Sequence, residues 1–213
     1  MKMQYARGGV DMELNVIVAG VGGQGSVLVS SIIAGSAIKE HGRKYQVRVG
    51  ETFGAAQRGG AVASHVRIGD NVHAPLVSRG SADLIIGLEP LEALRLGVPF
   101  LAPNGLTVLN IAKQVPVDVK VGAVEYPQIE DIINALNRLG KQVVSFNGDE
   151  LAAEAGNPRV MSIIMLGAAH ASGLLPFSEE TVLSVIGQKV PAKTLDLNRE
   201  AFEIGKKAYA QSV

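Results

Sequence analysis

A short apolar run, mostly β-branched, occupies residues 14–19, and Gly20-Val-Gly-Gly-Gln-Gly25 follows at once. Beyond it Val29, Ile32, Ile33 and Ala37 recur at helical spacing. An unbroken apolar run of this length is the signature of a strand buried on both faces, and a 3.6-residue period marks one face of a helix. The pattern therefore predicts a strand at 14–19, a glycine turn, and a helix over 26–40 closed by Gly42. Strands are predicted at 45–49 and 61–68, separated by a glycine-rich loop over 51–60. Gly69-Asp70-Asn71 is a turn signal, after which 72–76 is expected to return antiparallel. Residues 81–87 read as another buried strand, followed by a helix at 90–96 and short strands at 99–101, 107–110 and 117–123.

The second half is more helical. Ile129, Ile132, Ile133, Leu136 and Leu139 line one face of a helix that ends at Gly140. A strand at 142–146 and a helix at 148–155 come next. Pro158 suits the first turn of a helix running to Ala171. Ser178-Glu-Glu-Thr opens a second with a capping-like start, and 197–210 forms a third with a charged outer face. Alternating strands and helices give an α/β fold: a Rossmann-like, parallel-dominated sheet flanked by helices, with a helical C-terminal third. Residues 1–12 read as a flexible lead-in and 13–213 as one domain, with a helical arm from about 158.

Composition narrows the function classes. The 213 residues carry 20 Lys+Arg and 20 Asp+Glu, so the net charge is zero, and only 4% are aromatic. Neither a charge-driven nucleic-acid binder nor a base-stacking platform is built this way. Cysteine is absent, which excludes disulfides, thiolate metal sites and iron–sulfur ligation by Cys from this chain. The N-terminal residues form no apolar signal core and no apolar stretch reaches membrane-spanning length, so the expected setting is cytoplasmic, with no membrane partner.

Two loops carry the candidate chemistry. Gly20, Gly22 and Gly25 satisfy the G-x-G-x-x-G spacing between a strand and a helix, and with Gly23 and Gln24 they could cradle an anion at the helix N-terminus. A glycine turn that only packs helix on strand is the bland alternative. A nicotinamide site would also want an acidic residue ending the second strand, about 20 residues on. Glu51 stands near that place, yet a long loop follows it. That loop, Glu51-Thr-Phe-Gly-Ala-Ala-Gln-Arg-Gly-Gly60, presents Glu51, Thr52, Gln57, Arg58, Gly59 and Gly60. Arg58 between glycines could offer a guanidinium fork and free amides to a phosphate or carboxylate, or it could pair with Glu51 and order the loop.

Other groups speak less. His41, His65, His73 and His170 lack metal-ligand spacing and read as structural, His41 as a helix cap. No serine lies in a G-x-S-x-G elbow. Asp83 and Glu89 flank a strand, with Glu89 at its carboxyl end, where α/β sites gather; its plainer reading is the cap of the following helix. Asn157-Pro-Arg159 reads as a helix start, with a partner-contact corner as the alternative.

Three segments taken together resemble a known family: Gly20–Gly25, Glu51–Arg67, and Ser81-Ala-Asp-Leu-Ile-Ile-Gly-Leu-Glu-Pro-Leu-Glu-Ala-Leu-Arg95. The family is the gamma domain of the 2-oxoacid:ferredoxin oxidoreductases. The Glu-Thr-x-Gly-x-x-Gln-Arg-Gly-Gly form is most similar to the beta subunit of the indolepyruvate type. Asn157-Pro-Arg-Val-Met-Ser-Ile-Ile-Met-Leu-Gly-Ala168 and Asp196-Leu-Asn-Arg-Glu-Ala-Phe-Glu-Ile-Gly205 support it, so the resemblance covers residues 14–208.

The resemblance implies a subunit of an enzyme that converts a 2-oxo acid, here an aryl pyruvate, with CoA and oxidised ferredoxin into acyl-CoA, CO2 and reduced ferredoxin. Thiamine diphosphate, its magnesium and the [4Fe-4S] clusters would belong to a large partner subunit, leaving this chain without a resident cofactor, metal or catalytic residue. The two glycine loops would lie together at the carboxyl edge of the sheet, closing the partner's site or receiving the anionic part of CoA or substrate. Two other classes fit parts of the sequence: an NAD(P)-dependent dehydrogenase, and a non-catalytic ligand-binding module of the same fold.

Overall fold

The computed structural model describes residues 12–54, 60–115, 119 and 125–213. The 1–11 lead-in, Gln57, Arg58, Gly59 and all but one residue of the strand expected at 117–123 lie outside them. In chain order the elements are β1 (Glu13–Val21), α1 (Ser26–His41), β2 (Gln46–Phe53), β3 (Ala61–Gly69), β4 (Ala82–Gly87), α2 (Pro90–Phe100) and β5 (Leu101–Asn110). They continue with α3 (Ile129–Leu139), β6 (Gln142–Phe146), α4 (Gly148–Glu154), a 3-10 turn (Pro158–Val160), α5 (Met161–Ala171), α6 (Glu179–Lys189), a second 3-10 turn (Ala192–Thr194) and α7 (Leu195–Gln211).

The six strands form one sheet in the order β2-β3-β1-β4-β5-β6. β3 runs antiparallel to both β1 and β2, while β1–β4, β4–β5 and β5–β6 pair in parallel. Five strands therefore point the same way, and only β3 is reversed. One face carries α1, α5 and α6 over Val16, Val18, Val66, Leu84 and Val108. The other carries α2 and α3 over Ile17, Ala19, Ile85 and Leu109. Alternate residues of each strand feed the two cores, which is why the parallel strands read as continuous apolar runs.

α5 is buried all round because α7 lies directly across it. Their backbones touch. A Cβ on Gly167 would fall 2.1 Å from the Phe202 carbonyl oxygen, and one on Gly205 would fall 1.8 Å from the Ile164 carbonyl oxygen.

Several sequence expectations need correction. β2 extends through Glu51, Thr52 and Phe53 because all three pair with β3 (Ser64, Ala63 and Val62), so the loop begins only at Gly54. Residues 72–76 form no strand; Arg67 Nη1 donates to the Ala74 carbonyl at 3.0 Å, and Pro75 packs against Gly50. The two strands expected at 99–101 and 107–110 are the end of α2 and one longer β5. Its register with β4 shifts between Ala82↔Leu101 and Leu84↔Leu106, and Gly105 lets the extra residues crowd the Ala82 carbonyl. Met12 is no loose lead-in: it is buried, and its N–H donates to Asp70 Oδ2 at 2.6 Å. His41 does not cap α1; its Nε2 meets the Pro176 carbonyl and ties α1 to the segment before α6.

Thr107 stands fully buried in β5, and its hydroxyl has no hydrogen-bond partner among the described residues. A buried hydroxyl left unpaired is costly. Thr107→Val keeps the shape and removes the orphan, and should raise the unfolding free energy by about 1 kcal/mol. Urea titration of the two proteins checks this; an unchanged or lower midpoint would contradict it.

Candidate functional site

β1, β2, β4, β5 and β6 all end at one edge of the sheet, and β3 begins there. β1 connects through α1 toward β2, while β4 connects through α2 toward β5, with the two helices on opposite faces. The crevice between the carboxyl ends of β1 and β4 is therefore the topological switch point, where open α/β sheets bind ligands.

The glycine turn sits over that crevice. Gln24 folds back beneath it: its Oε1 accepts the Val21 N–H at 2.9 Å, and its Nε2 donates across the crevice to the Leu88 carbonyl at 3.1 Å. Gly20 leaves the room for this, since a Cβ there would come within 2.8 Å of Gln24 Oε1. Gly25, the N-cap of α1, has φ 93° and abuts Ser162, so both conformation and space demand glycine. α1 begins with no side-chain cap and no acidic residue in its first turn, leaving its N-terminal amides available to an anion.

The second loop meets the first. Gly22 N donates to the Gly60 carbonyl at 2.9 Å, and Gly54 N donates to the Ala61 carbonyl at 2.7 Å. The Gly60 end of the 51–60 segment thus lies against the glycine turn. Glu51 and Thr52 are exposed on the edge strand β2. β3 intervenes between β1 and β2, so Glu51 stands one strand spacing, about 5 Å, farther from β1 than the acidic residue of an adjacent second strand would. The topology argues against the nicotinamide arrangement.

Asn110, at the carboxyl end of β5, is fully buried and joins four segments. Its Nδ2 donates to the Leu88 carbonyl at 3.0 Å and to Asp149 Oδ2 at 2.7 Å. Its Oδ1 accepts from Gly148 N at 2.9 Å and Ala112 N at 3.1 Å. Leu88's carbonyl therefore takes one amide proton from Gln24 and one from Asn110, and the pair links the turn after β1 to the start of α4. Asn110 and Asp149 escaped the sequence reading; position at a strand's carboxyl end was the available signal, the one that singled out Glu89.

Glu89 is fully buried and does cap α2, its Oε2 accepting from Glu92 N at 2.8 Å. Its Oε1 accepts from the Tyr126 hydroxyl at 2.5 Å. Burial pushes the Glu89 carboxyl above the usual range, and burial beside that carboxylate pushes the Tyr126 phenol up. Asn157 likewise caps its own turn, Oδ1 accepting from Arg159 N at 3.0 Å. On the other side of the molecule His65 is 3% exposed, accepts the Val77 N–H on Nδ1 at 3.3 Å and packs edge-on to Phe100. Burial lowers its pKa from 6.5.

These two shifts oppose each other in pH. A depressed histidine adds stability that is complete above its unfolded pKa and is lost as pH falls through 6.5 toward the lowered folded value. A raised carboxyl costs stability as pH climbs from 4.5 toward its raised folded value. Between pH 4.5 and 6.5, Glu89→Gln should make stability rise more steeply with pH, and His65→Leu should flatten or reverse the slope. Unfolding free energies measured across this range check both signs.

Two clefts flank the glycine turn. One, of about 300 Å³, is apolar and lies toward β2 and β3 between Val27, Phe53 and Val62. The other, of about 390 Å³, lies toward α4 and α5 and is bounded by Asp149, Arg159 and Ser162. What the described edge offers a ligand is backbone donors, shape and a few polar side chains.

The comparisons with known proteins agree with this architecture. The family described as "Pyruvate ferredoxin/flavodoxin oxidoreductase" matches residues 15–208. The chain is 41% identical over 194 residues to the indolepyruvate oxidoreductase subunit IorB of Archaeoglobus fulgidus, covering 91% of this chain and 94% of that one. The gamma subunit of a keto/oxoacid ferredoxin oxidoreductase from Geobacter sulfurreducens superposes with a TM-score of 0.64 at 24% identity, over 93% of this chain and 99% of that one. A 2-oxoglutarate:ferredoxin oxidoreductase from Magnetococcus marinus, with 2-oxoglutarate, coenzyme A and succinyl-CoA bound, superposes with a TM-score of 0.66 at 21% identity, over 94% of this chain and 32% of that one. A family match across most of the chain, on a sheet whose glycine turn spans the switch point, places the protein: it belongs to the pyruvate ferredoxin/flavodoxin oxidoreductase family.

Proposed function

We propose that this chain is the non-cluster subunit of an indolepyruvate or other aryl-pyruvate:ferredoxin oxidoreductase. The complex would turn a 2-oxo acid, CoA and oxidised ferredoxin into acyl-CoA, CO2 and reduced ferredoxin. The observation that carries the substrate class is the 41% identity to an indolepyruvate oxidoreductase subunit across nine-tenths of the chain. The Magnetococcus relative supports a larger assembly, since this chain spans only 32% of that one.

The donor set here does not suit the redox groups of such a complex. A [4Fe-4S] cluster is held by thiolates, and this chain has no Cys. The described residues bring no three His, Asp or Glu together that could hold a metal ion. In this reading thiamine diphosphate, magnesium and the clusters belong to a larger partner subunit. This chain's part is to place the glycine turn, the 51–60 segment and the polar cleft over the partner's site, to exclude water, and to hold the anionic end of a substrate.

Anaerobic isolation of the chain from its own cells tests the reading. A larger partner carrying thiamine diphosphate and iron–sulfur clusters, with ferredoxin reduction dependent on aryl pyruvate and CoA, is the expected result. The chain emerging alone, or in a complex turning over only aliphatic 2-oxo acids, would overturn the whole reading or its substrate class.

A further inference from the structure

We infer that β2 is a self-association strand: two copies of this chain pair antiparallel through their β2 edges, about a two-fold axis at Val49, joining their two six-stranded sheets into one. The inference goes beyond the proposed function and does not draw on it.

The edge itself is the first observation. β2 ends the sheet and pairs only with β3. Its eight residues hold one unbroken register with β3, from Gln46↔Gly69 to Phe53↔Val62, with no proline and no bulge. Arg48, Val49, Glu51, Thr52 and Phe53 are exposed along it. A long, regular, open edge is a template for another strand, and proteins that stay single blunt such edges with bulges, prolines or short length. The opposite edge is blunted: β6 has five residues, and none is exposed.

The apolar surface is the second. Seven large apolar side chains are exposed among the described residues, and five of them lie along β2. Val49 and Phe53 belong to the strand, at 41% and 62% exposure. Val27 shares a cleft with Phe53, and Ile38 lies about three turns farther down the same side of α1. Leu76 covers Gly50 from the other face. Scattered exposed apolar residues need no explanation; a row of them along one open edge marks an interaction surface.

The order of charges selects the occupant. In a parallel, in-register pair Arg48 would stand against Arg48 and Glu51 against Glu51, like charge on like. Reversed about Val49, Arg48 of one copy faces Gly50 of the other, where no side chain competes. The basic residues Arg43, Lys44 and Arg48 then run beside the half of the other strand that carries Glu51. None of these four makes an ion pair with another described residue. The same reversal sets Val49 on Val49 and Tyr45 beside Phe53, on the face that β2 shares with Val66, Ile68 and α1. A strand whose charges and apolar residues complement themselves on reversal fits a second copy through an isologous contact.

Sedimentation of the isolated full chain from low to high micromolar concentration tests this, whether or not a larger partner is found. A monomer that converts to a dimer as concentration rises is the expected result. Val49→Glu should raise the dissociation constant about tenfold or more, since it sets two carboxylates against each other on the axis. Its circular dichroism and melting should match the parent's, because the side chain is already open to solvent. The chain has no Cys, so an introduced thiol reports cleanly. Val49→Cys should form a disulfide-linked dimer on mild oxidation, and Val98→Cys, exposed on α2, should not. A monomer at every concentration, a dimer indifferent to Val49→Glu, or Val49→Cys linking no better than Val98→Cys would each overturn the assignment. A monomer whose β2 amides gain protection from exchange only in complex with another protein would overturn it too, and give the edge to that partner.

Discussion

Gly205→Ala is expected to cost about 3 kcal/mol or more, although alanine is the better helix former. Intrinsic propensity favours the change by about 1 kcal/mol. Packing opposes it more strongly. The new methyl would lie 1.8 Å from the Ile164 carbonyl oxygen and 2.9 Å from Ala168 N, and both are backbone atoms of a helix held between the sheet and α7. No flexible side chain can yield, so α7 must move off α5, and overpacking of this kind costs 1–3 kcal/mol and occasionally more. At about 2–4 °C per kcal/mol for a chain of this size, the melting temperature should fall by roughly 10 °C. Gly187→Ala in α6 is the internal control. Its Cβ would meet only Leu195 Cδ1 at 3.4 Å, an ordinary contact, so propensity should win and stability should rise. Thermal melts of both variants decide; a Gly205→Ala melt at or above the parent's would show that α7 is free to slide.

Asn110→Ala should be about as damaging, for an electrostatic reason. The change leaves the N–H groups of Gly148 and Ala112 without their acceptor and strips one of two donors from the Leu88 carbonyl. At about 1–3 kcal/mol for each buried group left unmet, a loss of roughly 4 kcal/mol is expected. Gln24→Ala should cost less, because the Leu88 carbonyl keeps Asn110. Asn110→Asp separates the two roles of the amide. It keeps the acceptor, but its charge would face both the Leu88 carbonyl and Asp149. That carboxyl would resist ionisation, so the variant should be least stable near neutrality and recover as pH falls and the acid regains a proton to donate. Urea titrations at pH 5 and pH 7.5 read this directly; equal loss at both would contradict it.

The sequence made the centre of the fold legible. The run at 14–19, its glycines and the helix after them were local signals, each sufficient for its element, and the amphipathic α3 followed from period alone. The misreadings have tertiary causes. Pro99 looked like a break before a strand, yet it lies inside α2, whose last turn ends only at Phe100. Glu51, Thr52 and Phe53 looked like loop because their ladder partners, Ser64, Ala63 and Val62, are contributed by the next strand. The glycine turn was legible as a strand–turn–helix junction, and its contact with the 51–60 segment at Gly60 was anticipated from the resemblance. The roles of Asn110 and Tyr126 were not legible. Each depends on partners far along the chain, Leu88 and Asp149 for the one and Glu89 for the other. Gly167 and Gly205 were equally silent, as only the crossing of α5 over α7 shows why they carry no side chain.

The single reversed strand has a consequence for how such a protein can change over time. β2 and β3 pair antiparallel, and β2 ends and β3 begins at the same edge as the exits of the parallel strands. A parallel strand's exit loop is bound to a crossover helix, so altering its length shifts a packed helix on the sheet. A hairpin tip is free of that obligation, and insertions there are absorbed without disturbing a core. The reversal of β3 thus joins two strands at the rim without a crossover helix, next to a glycine turn that Gln24 braces from beneath.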